Sequence, residues 1–290
     1  MTAAFSTNHI NQRLAECAEV GDLTQVAMLL AQGADPSLNN AHAIRSAAAK
    51  GHAECVKLLI QASPNTPGNS IALLWAASYG HTECVELLIP VSDPDAGHSD
   101  AIRWAAVNGH AECVKLLIPV SDPKADGSRA LRCAAAGGNA ECVKLLIPFA
   151  SPEENLNALC CAAKNGHAEC IALLIPISDA KINGSDALLG ALSNGHAECA
   201  RLLIPVSAPL LEMGAALIGA VGAGHANILS LMLSHEPRLL LQLDLPKSLG
   251  SAISDGHSEL ESLLRSIIEQ QGLNGYIPPG NAATDKPLRL

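Results

Sequence analysis

One ten-residue pattern recurs along this chain at a nearly constant spacing. It reads GHAECVKLLI at Gly51 and returns at 29, 29, 29, 28 and 29 residues. The six copies begin at Gly51, Gly80, Gly109, Gly138, Gly166 and Gly195, and weaker copies begin at Gly21, Gly224 and Gly256. Self-similarity at such a period is the signature of a repeat array, in which each unit packs only on its neighbours. The chain therefore holds nine units over residues 9–268.

Each unit is predicted to form two short helices joined at its glycine. In the stretch before Gly109, Ile102, Ala105 and Ala106 have the i, i+3, i+4 spacing of one helical face. Gly109 fits the left-handed position that commonly ends a helix. We expect the N-caps of the first helices to be side chains that accept amide hydrogens, at Asp100, Asn157 and Asp186.

The second helix of each unit follows the glycine at once. The broad apolar face of this helix consists of Cys113, Val114, Leu116, Leu117 and Ile118, and Pro119 ends the helix because it lacks the backbone donor. Glu112 and Lys115 are spaced i, i+3 and should pair. One helix pair cannot bury such a face alone, whereas stacked copies can. The prediction is an all-α fold, an elongated and curved α-solenoid of about nine helix-turn-helix repeats.

The ends of the chain depart from the repeat. We expect residues 1–8 to form an N-terminal extension, 9–268 the repeat domain and 269–290 a mobile C-terminal tail, since the tail is rich in proline and glycine. Residues 213–234 carry no formal charge, but glycines and polar residues interrupt them in register with the repeat. A membrane span is therefore disfavoured.

The composition excludes several classes of function. The formal net charge is −10, which argues against a nucleic-acid-binding surface, since that affinity comes mostly from clustered Lys and Arg. Apolar residues make up 49% of the chain and aromatic residues only 2%, so the chain is not disordered and its core must consist of small and aliphatic side chains. The ten cysteines, with no readable signal peptide, indicate reduced thiols and a cytoplasmic location.

The pattern A-A-x-x-G-H-x-E-[C/V]-V-x-x-L-L, as in Ala105–Leu117, resembles the ankyrin repeat, and the resemblance covers nearly the whole chain. Gly33, Ala34 and Asp35 also match the loop that follows the second helix in that family. The family's Thr-Pro-Leu-His opening is missing, and the linker is about four residues shorter than a period of roughly 33 allows. The resemblance implies a binding scaffold whose projecting finger is trimmed to a tight loop.

The repeated His-x-x-Cys motif could offer two zinc ligands, as at His110 and Cys113. Equivalent side chains on packed helices lie about 8–10 Å apart, too far for one coordination sphere, so packing is the favoured interpretation. Cys133, Cys160 and Cys161 could be redox-active, but their Ala-rich helices favour packing as well. No motif of a catalytic or phosphate-binding site appears. We expect no metal, no cofactor and no enzymatic activity.

Positions that depart from the repeat are the candidates for function. Trp75 and Trp104 are 29 residues apart at one repeat position, and Tyr79 is i+4 from Trp75. In ankyrin-like arrays this side of the first helix faces the concave groove. Trp and Tyr are enriched at binding hot spots, which favours a protein-binding site. The alternative is that both tryptophans fill gaps between repeats.

Polar residues at two further repeat positions are groove candidates. Arg45, Arg103 and Arg132 share one position and could contact an acidic partner, or could lie over the Ala-rich surface. Asn108, Lys164 and Asn165 precede the turn glycines and could face the groove, or could be ordinary C-terminal polar residues.

The sequence predicts a non-catalytic, monomeric module that binds another protein through its concave groove. The alternatives are the interaction domain of a larger enzyme or complex, or a bacterial effector that acts on a host protein. The effector alternative follows from the resemblance, because ankyrin-like arrays of near-identical units are common in bacteria that live with eukaryotic hosts. A separate catalytic domain is disfavoured, since too few residues lie outside the repeats.

Overall fold

A computed structural model describes residues 2–178, 185–206 and 210–271. This part of the chain forms eighteen α-helices, arranged as nine consecutive pairs that each enclose one of the repeated glycines. In chain order the helices α1 to α18 are Thr2–Val20, Leu23–Ala31, Leu38–Lys50, Ala53–Ala62, Gly68–Ser78, Thr82–Leu88, Ala96–Val107, Ala111–Leu117, Ala125–Ala136, Ala140–Leu146, Pro152–Asn165, Ala168–Leu174, Ser185–Ser193, Ala197–Leu203, Leu210–Gly222, Ala226–His235, Leu245–Asp255 and Ser258–Gln270. The all-α prediction is confirmed.

The repeated glycine closes the first helix of each pair. Gly109 has φ +80°, in the left-handed region that a residue with a Cβ enters only at a cost. The amide of the next residue, His110, then donates to the carbonyl of Ala105 at 2.9 Å, and the second helix begins at Ala111. The predicted left-handed turn is thereby confirmed.

The core is built from thin layers of small and aliphatic side chains. On the first helices it consists of paired alanines with one larger aliphatic residue, as in Ile102, Ala105 and Ala106, all at most 1% exposed. On the second helices Cys113, Val114 and Leu117 are equally buried. Alanines let neighbouring backbones approach closely, so this core requires few aromatic side chains.

The described chain divides into two compact units, Met1–Ala162 and Ala163–Leu290. In the first unit, α3 packs on α5, α5 on α7 and α7 on α9, while the second helices form a parallel layer through α4, α6, α8 and α10. In the second unit, α13 packs on α15 and α15 on α17, while α12, α14, α16 and α18 form the other layer. Each unit is a stack of helix pairs in which neighbours supply the contacts.

Histidines bind successive repeats together through the backbone. The Nε2 atom of His81 lies 3.1 Å from the carbonyl oxygen of Ala49, at the end of the preceding first helix. A Cβ on Gly51 would lie 2.6 Å from the ring of the same histidine, so glycine is also needed for close approach. Equivalent contacts to the preceding repeat are made by His52, His110, His196 and His225.

The three predicted N-caps are wrong. Asp100 follows an extra turn at the start of α7, Asn157 lies within α11, which begins at Pro152, and Asp186 is the second residue of α13. In α7 the extra turn is left-handed, because Gly97, His98 and Ser99 have φ between 59° and 66°. The Asp100 carboxylate instead accepts a hydrogen bond from Nε of Arg103 at 2.9 Å.

The same left-handed turn recurs at residues 126–128 of α9. The turn at residues 97–99 is held by hydrogen bonds to a polar side chain of the linker. The Oδ1 atom of Asp95 accepts from the buried Ser99 hydroxyl at 2.7 Å and from the Asp122 amide of the next linker at 2.7 Å. No strand occurs in the described linkers, which agrees with the expectation of a shortened finger.

The uncharged segment at 213–234 forms parts of two helices, Leu210–Gly222 and Ala226–His235, which turn at Gly224. Among the described helices, none has the length and apolar character that a membrane crossing requires. The expected boundaries at residues 8 and 268 fall within the helices Thr2–Val20 and Ser258–Gln270. Residues 272–290 of the expected tail lie outside the described residues.

Candidate protein-binding face

The first helices of pairs 3 and 4 present aromatic side chains to solvent. On α5 and α7 the alanines at 76, 77, 105 and 106 are fully buried between neighbouring helices. The helical period therefore turns Trp75 and Trp104 away from the core. Trp75 is 39% exposed, Tyr79 53% and Trp104 38%. All three lie in the first unit, on the side of the first helices that the sequence predicts to be the groove.

Trp75 and Tyr79 form one continuous apolar surface. Their ring centroids are 5.8 Å apart with an interplanar angle of 14°, an offset-stacked pair. The ring of His81 follows at 6.3 Å from that of Tyr79. Because His81 is held by the carbonyl of Ala49, the row of rings is supported by the inter-repeat contact.

Arg103 and Trp104 make a second aromatic group on α7. The guanidinium carbon lies 4.9 Å from the ring centroid of Trp104, within cation–π distance. The same guanidinium forms an ion pair with Asp100. Arg103 is thus fixed between a carboxylate and an aromatic face, and the sequence prediction that it lies beside the aromatic cluster agrees with this placement.

Arg132 and Asn108 have contacts within the repeat array. Arg132 donates through Nη2 to the carbonyl of Asp126 at 3.2 Å, in the left-handed turn of its own helix. The Nδ2 group of Asn108 donates to the Ser78 carbonyl at 2.9 Å and to the Ser78 hydroxyl at 3.1 Å. Asn108 therefore links pair 4 to pair 3, a structural role beside any role in binding.

Lys164 and Asn165 belong to the second unit and lie at the exposed end of α11. A Cβ on Gly190 would lie 2.7 Å from Cγ of Lys164, so the lysine stem covers that glycine. This contact explains the small residue at position 190, where the first unit has Trp75 and Trp104.

A shallow cavity of about 260 Å³ adjoins the aromatic row between α3 and α5. It is lined by His42, Arg45, Ser46, Ala49, Trp75 and Tyr79. Arg45 is predicted on this face from the sequence, whereas His42 is not. The signal that could have found His42 is its position, three residues before Arg45, which puts both on one side of the helix.

The repeated histidine and cysteine serve different purposes. The histidines bond to backbone carbonyls, while the cysteines are buried in the layer of second helices. Desolvation, with a smaller contribution from the charge of Glu83, raises the pKa of Cys84 to about 11. The pKa of Cys170 is also raised to about 11, mainly by burial. Such thiols remain protonated near neutral pH and are poor nucleophiles.

Among the described residues, no three His, Cys, Asp or Glu side chains are arranged to hold a metal ion. The half-buried Cys133 and Cys161 occupy the repeat position of Trp75 and Trp104 on α9 and α11. The described face offers apolar contact, hydrogen bonding and the guanidinium groups of Arg45 and Arg103.

The sequence profile of ankyrin repeats (3 copies) matches residues 14–100, 91–155, 138–212 and 159–242. The chain belongs to the ankyrin repeat family. Ankyrin repeats are in general protein–protein interaction modules, and their fold is typically a non-catalytic binding scaffold.

The crystal structure of the human ASB11 ankyrin repeat domain is similar to this ankyrin repeat protein. The TM-score is 0.51 and the sequence identity 27%, over 57% of this chain and 82% of that domain. No curated protein sequence matches the chain. The family is thus established by the repeat itself, while the partner has to be sought from the residues that vary within it.

Proposed function

We propose that this ankyrin repeat protein binds a partner protein through the face formed by its first helices, in the first unit, without catalysing a reaction. The observation that carries the proposal is the exposure of Trp75, Tyr79 and Trp104 on two adjacent helices. The chain has only six aromatic residues, so half of them lie in this one patch. Large aromatic side chains supply much of the binding free energy at protein interfaces.

The exposure supports the binding hypothesis over the packing alternative. A tryptophan that filled a gap between repeats would be buried like the alanines beside it, and Trp75 and Trp104 are more than a third exposed. Covering apolar surface stabilises a complex by roughly 25 cal/mol per Å² before the costs of association. Arg103 is held against Trp104, and Arg132 lies at the equivalent position on the next first helix, so both can add polar contacts near the aromatic anchors.

We also propose that the chain is monomeric and cytoplasmic and does not bind nucleic acid. The net charge of −10 supports the last point. Asn108 is proposed as a peripheral contact of this face, and it is already held in place by its hydrogen bond to Ser78. On the second unit, Lys164 and Asn165 are proposed as contact residues in their own right.

The test is affinity capture from a cell lysate with wild type and with Trp75→Ala/Trp104→Ala. We expect a protein that wild type retains and the double variant loses, while circular dichroism shows an unchanged helical fold. Glu86→Ala/Lys115→Ala is the matched control, since both residues are exposed on second helices. Equal retention by wild type and the aromatic double variant would contradict the proposal.

A further inference from the structure

The cavity beside Trp75 contains a cation without a carboxylate partner. The Nη2 group of Arg45 donates to the carbonyl of Asn39 at 3.3 Å, and its Nε–H is buried without an acceptor. No carboxylate of the described residues forms an ion pair with Arg45, and the same holds for Arg132 at the equivalent repeat position, whereas Arg103 pairs with Asp100. A partly buried guanidinium with a single neutral acceptor is incompletely compensated.

The two helices that line this cavity carry no acidic side chain. The helix that carries Arg45, α3, also contains Lys50 and no acidic residue. The helix on the other side of the cavity, α5, contains no charged residue at all. His42 and Ser46 add neutral hydrogen-bonding groups to the same lining. This local excess of positive charge stands in a chain whose formal net charge is −10.

The apolar wall of the same cavity is formed by Trp75 and Tyr79. A ligand that fills about 260 Å³ here meets a guanidinium on one side and stacked aromatic rings on the other. A carboxylate side chain followed by an apolar one matches both walls. Arg binds carboxylates well because its planar donors fit the two oxygens.

We propose that this cavity binds an Asp or Glu side chain of the partner, next to an apolar side chain that packs on Trp75 and Tyr79. Arg45 is then a specificity-determining residue of the interface, and the partner segment is acidic. The inference rests on the proposed function, since it names the chemistry of the segment that the aromatic face binds.

The neighbouring cavity limits where an acidic segment can lie. It shares His42 with the first cavity, but its lining includes Glu16 and Glu19 of α1. Like charges across an interface are unfavourable, so the acidic segment extends from Arg45 toward α7 and not toward α1. Arg103 on α7 and Arg132 on α9 lie in the permitted direction.

The test uses random twelve-residue peptides displayed on phage and selected on the immobilised full chain. We expect the retained peptides to carry Asp or Glu at a fixed distance from a large apolar residue. Selection on Arg45→Gln should remove the acidic preference and keep the apolar one. Apolar peptides without an acidic preference on wild type would overturn this inference and leave the proposed function standing. Retention no better than on Trp75→Ala/Trp104→Ala would overturn both.

The affinity of a selected peptide is then measured by fluorescence anisotropy of a fluorescein label. Arg45→Gln, or Glu→Gln in the peptide, should each weaken binding about tenfold, and the two changes together should cost little more than either alone. Arg201→Gln is the matched control, because it removes one positive charge from an exposed second helix of the other unit. If Arg201→Gln weakened binding as much as Arg45→Gln, the effect would come from the net charge of the protein. That result would contradict a specific contact between Arg45 and the peptide carboxylate.

Discussion

The Nε2 atom of His110 lies 3.0 Å from the carbonyl oxygen of Ser78, at the end of the preceding first helix. At position 139 the repeat has asparagine in place of histidine, and Asn139 donates to the carbonyls of Ala106 and Val107 at 2.9 and 2.8 Å. The inter-repeat bond is therefore kept with a different side chain. What the repeat requires at this position is a donor to the previous repeat.

This relationship predicts unequal effects of two substitutions at one site. His110→Ala removes the donor and the ring packed over Gly80, and should lower the free energy of unfolding by about 1–2 kcal/mol. His110→Asn keeps a donor and should lose less than half of that. Urea unfolding followed by circular dichroism measures both. Equal losses for the two variants would show that the ring, and not the hydrogen bond, stabilises the junction.

The repeated glycine should not tolerate a side chain. Gly51 has φ +78°, and a Cβ there would lie 2.6 Å from the ring of His81, so Gly51→Ala should destabilise the fold by about 2 kcal/mol. Gly250 is the matched control. It lies in the interior of α17 with no atom within 4 Å of a built Cβ, so Gly250→Ala should stabilise by about 0.5–1 kcal/mol. The midpoints of urea unfolding of both variants test this prediction. Shifts of the same sign for the two variants would contradict it.

The left-handed turn at the start of α7 contains a residue, His98, whose replacement by glycine should stabilise the fold. His98 is exposed and has φ +59°, a conformation that costs a non-glycine residue roughly 1–2 kcal/mol. His98→Gly should raise the free energy of unfolding by about 0.5–1 kcal/mol after the entropy of the unfolded glycine is included. Glu86→Gly, in the exposed interior of α6, should instead lower it by about 1 kcal/mol. A loss of stability for His98→Gly would contradict the claim that the left-handed conformation of His98 destabilises the fold.

The buried thiols predict an alkaline loss of stability. Burial raises the pKa of Cys84 and Cys170 to about 11, from an ordinary value of about 9. The folded state thus holds these protons more tightly, and the stabilisation is fully present below pH 9. It is lost as the pH rises from about 9 through about 11.

Cys84→Val/Cys170→Val should flatten this decline, since valine keeps an apolar side chain of similar size without a titrating proton. Urea unfolding at several values between pH 8 and 11 gives the slope of stability against pH. Cys133→Val, at a half-buried first-helix position, is the matched control. A decline as steep in the double variant as in wild type would assign the alkaline effect to other groups.

The repeat made most of the fold predictable. The spacing of Ile102, Ala105 and Ala106 indicated the buried face, and Gly109 and Pro119 marked the helix ends that the structure has. The predicted Glu112–Lys115 pair is present at 3.7 Å between Oε2 and Nζ. These features can be read from the sequence because they depend on the local spacing of apolar residues and on the backbone conformations that glycine and proline allow.

The features that sequence reasoning missed depend on contacts between repeats. Asp100 has the residue type of an N-cap, but the linker adds a left-handed turn before it, fastened by Asp95 and Ser99. His42 occupies an ordinary exposed helix position, and it becomes a cavity residue only because α5 places Trp75 and Tyr79 beside it. Such neighbours lie about thirty residues away, so the spacing of His42 and Arg45 indicates a shared side of the helix but not the cavity beside it.

The central claim is that the partner contacts the face of the first helices, and site-specific photo-crosslinking tests it most directly. Benzoylphenylalanine is placed at position 75 or 104, where it keeps an aromatic ring, and in separate variants at 86 or 115 on the second helices. After irradiation in the presence of the captured partner, we predict covalent adducts from 75 and 104 and none from 86 and 115. Adducts from 86 and 115, with none from 75 and 104, would contradict the account.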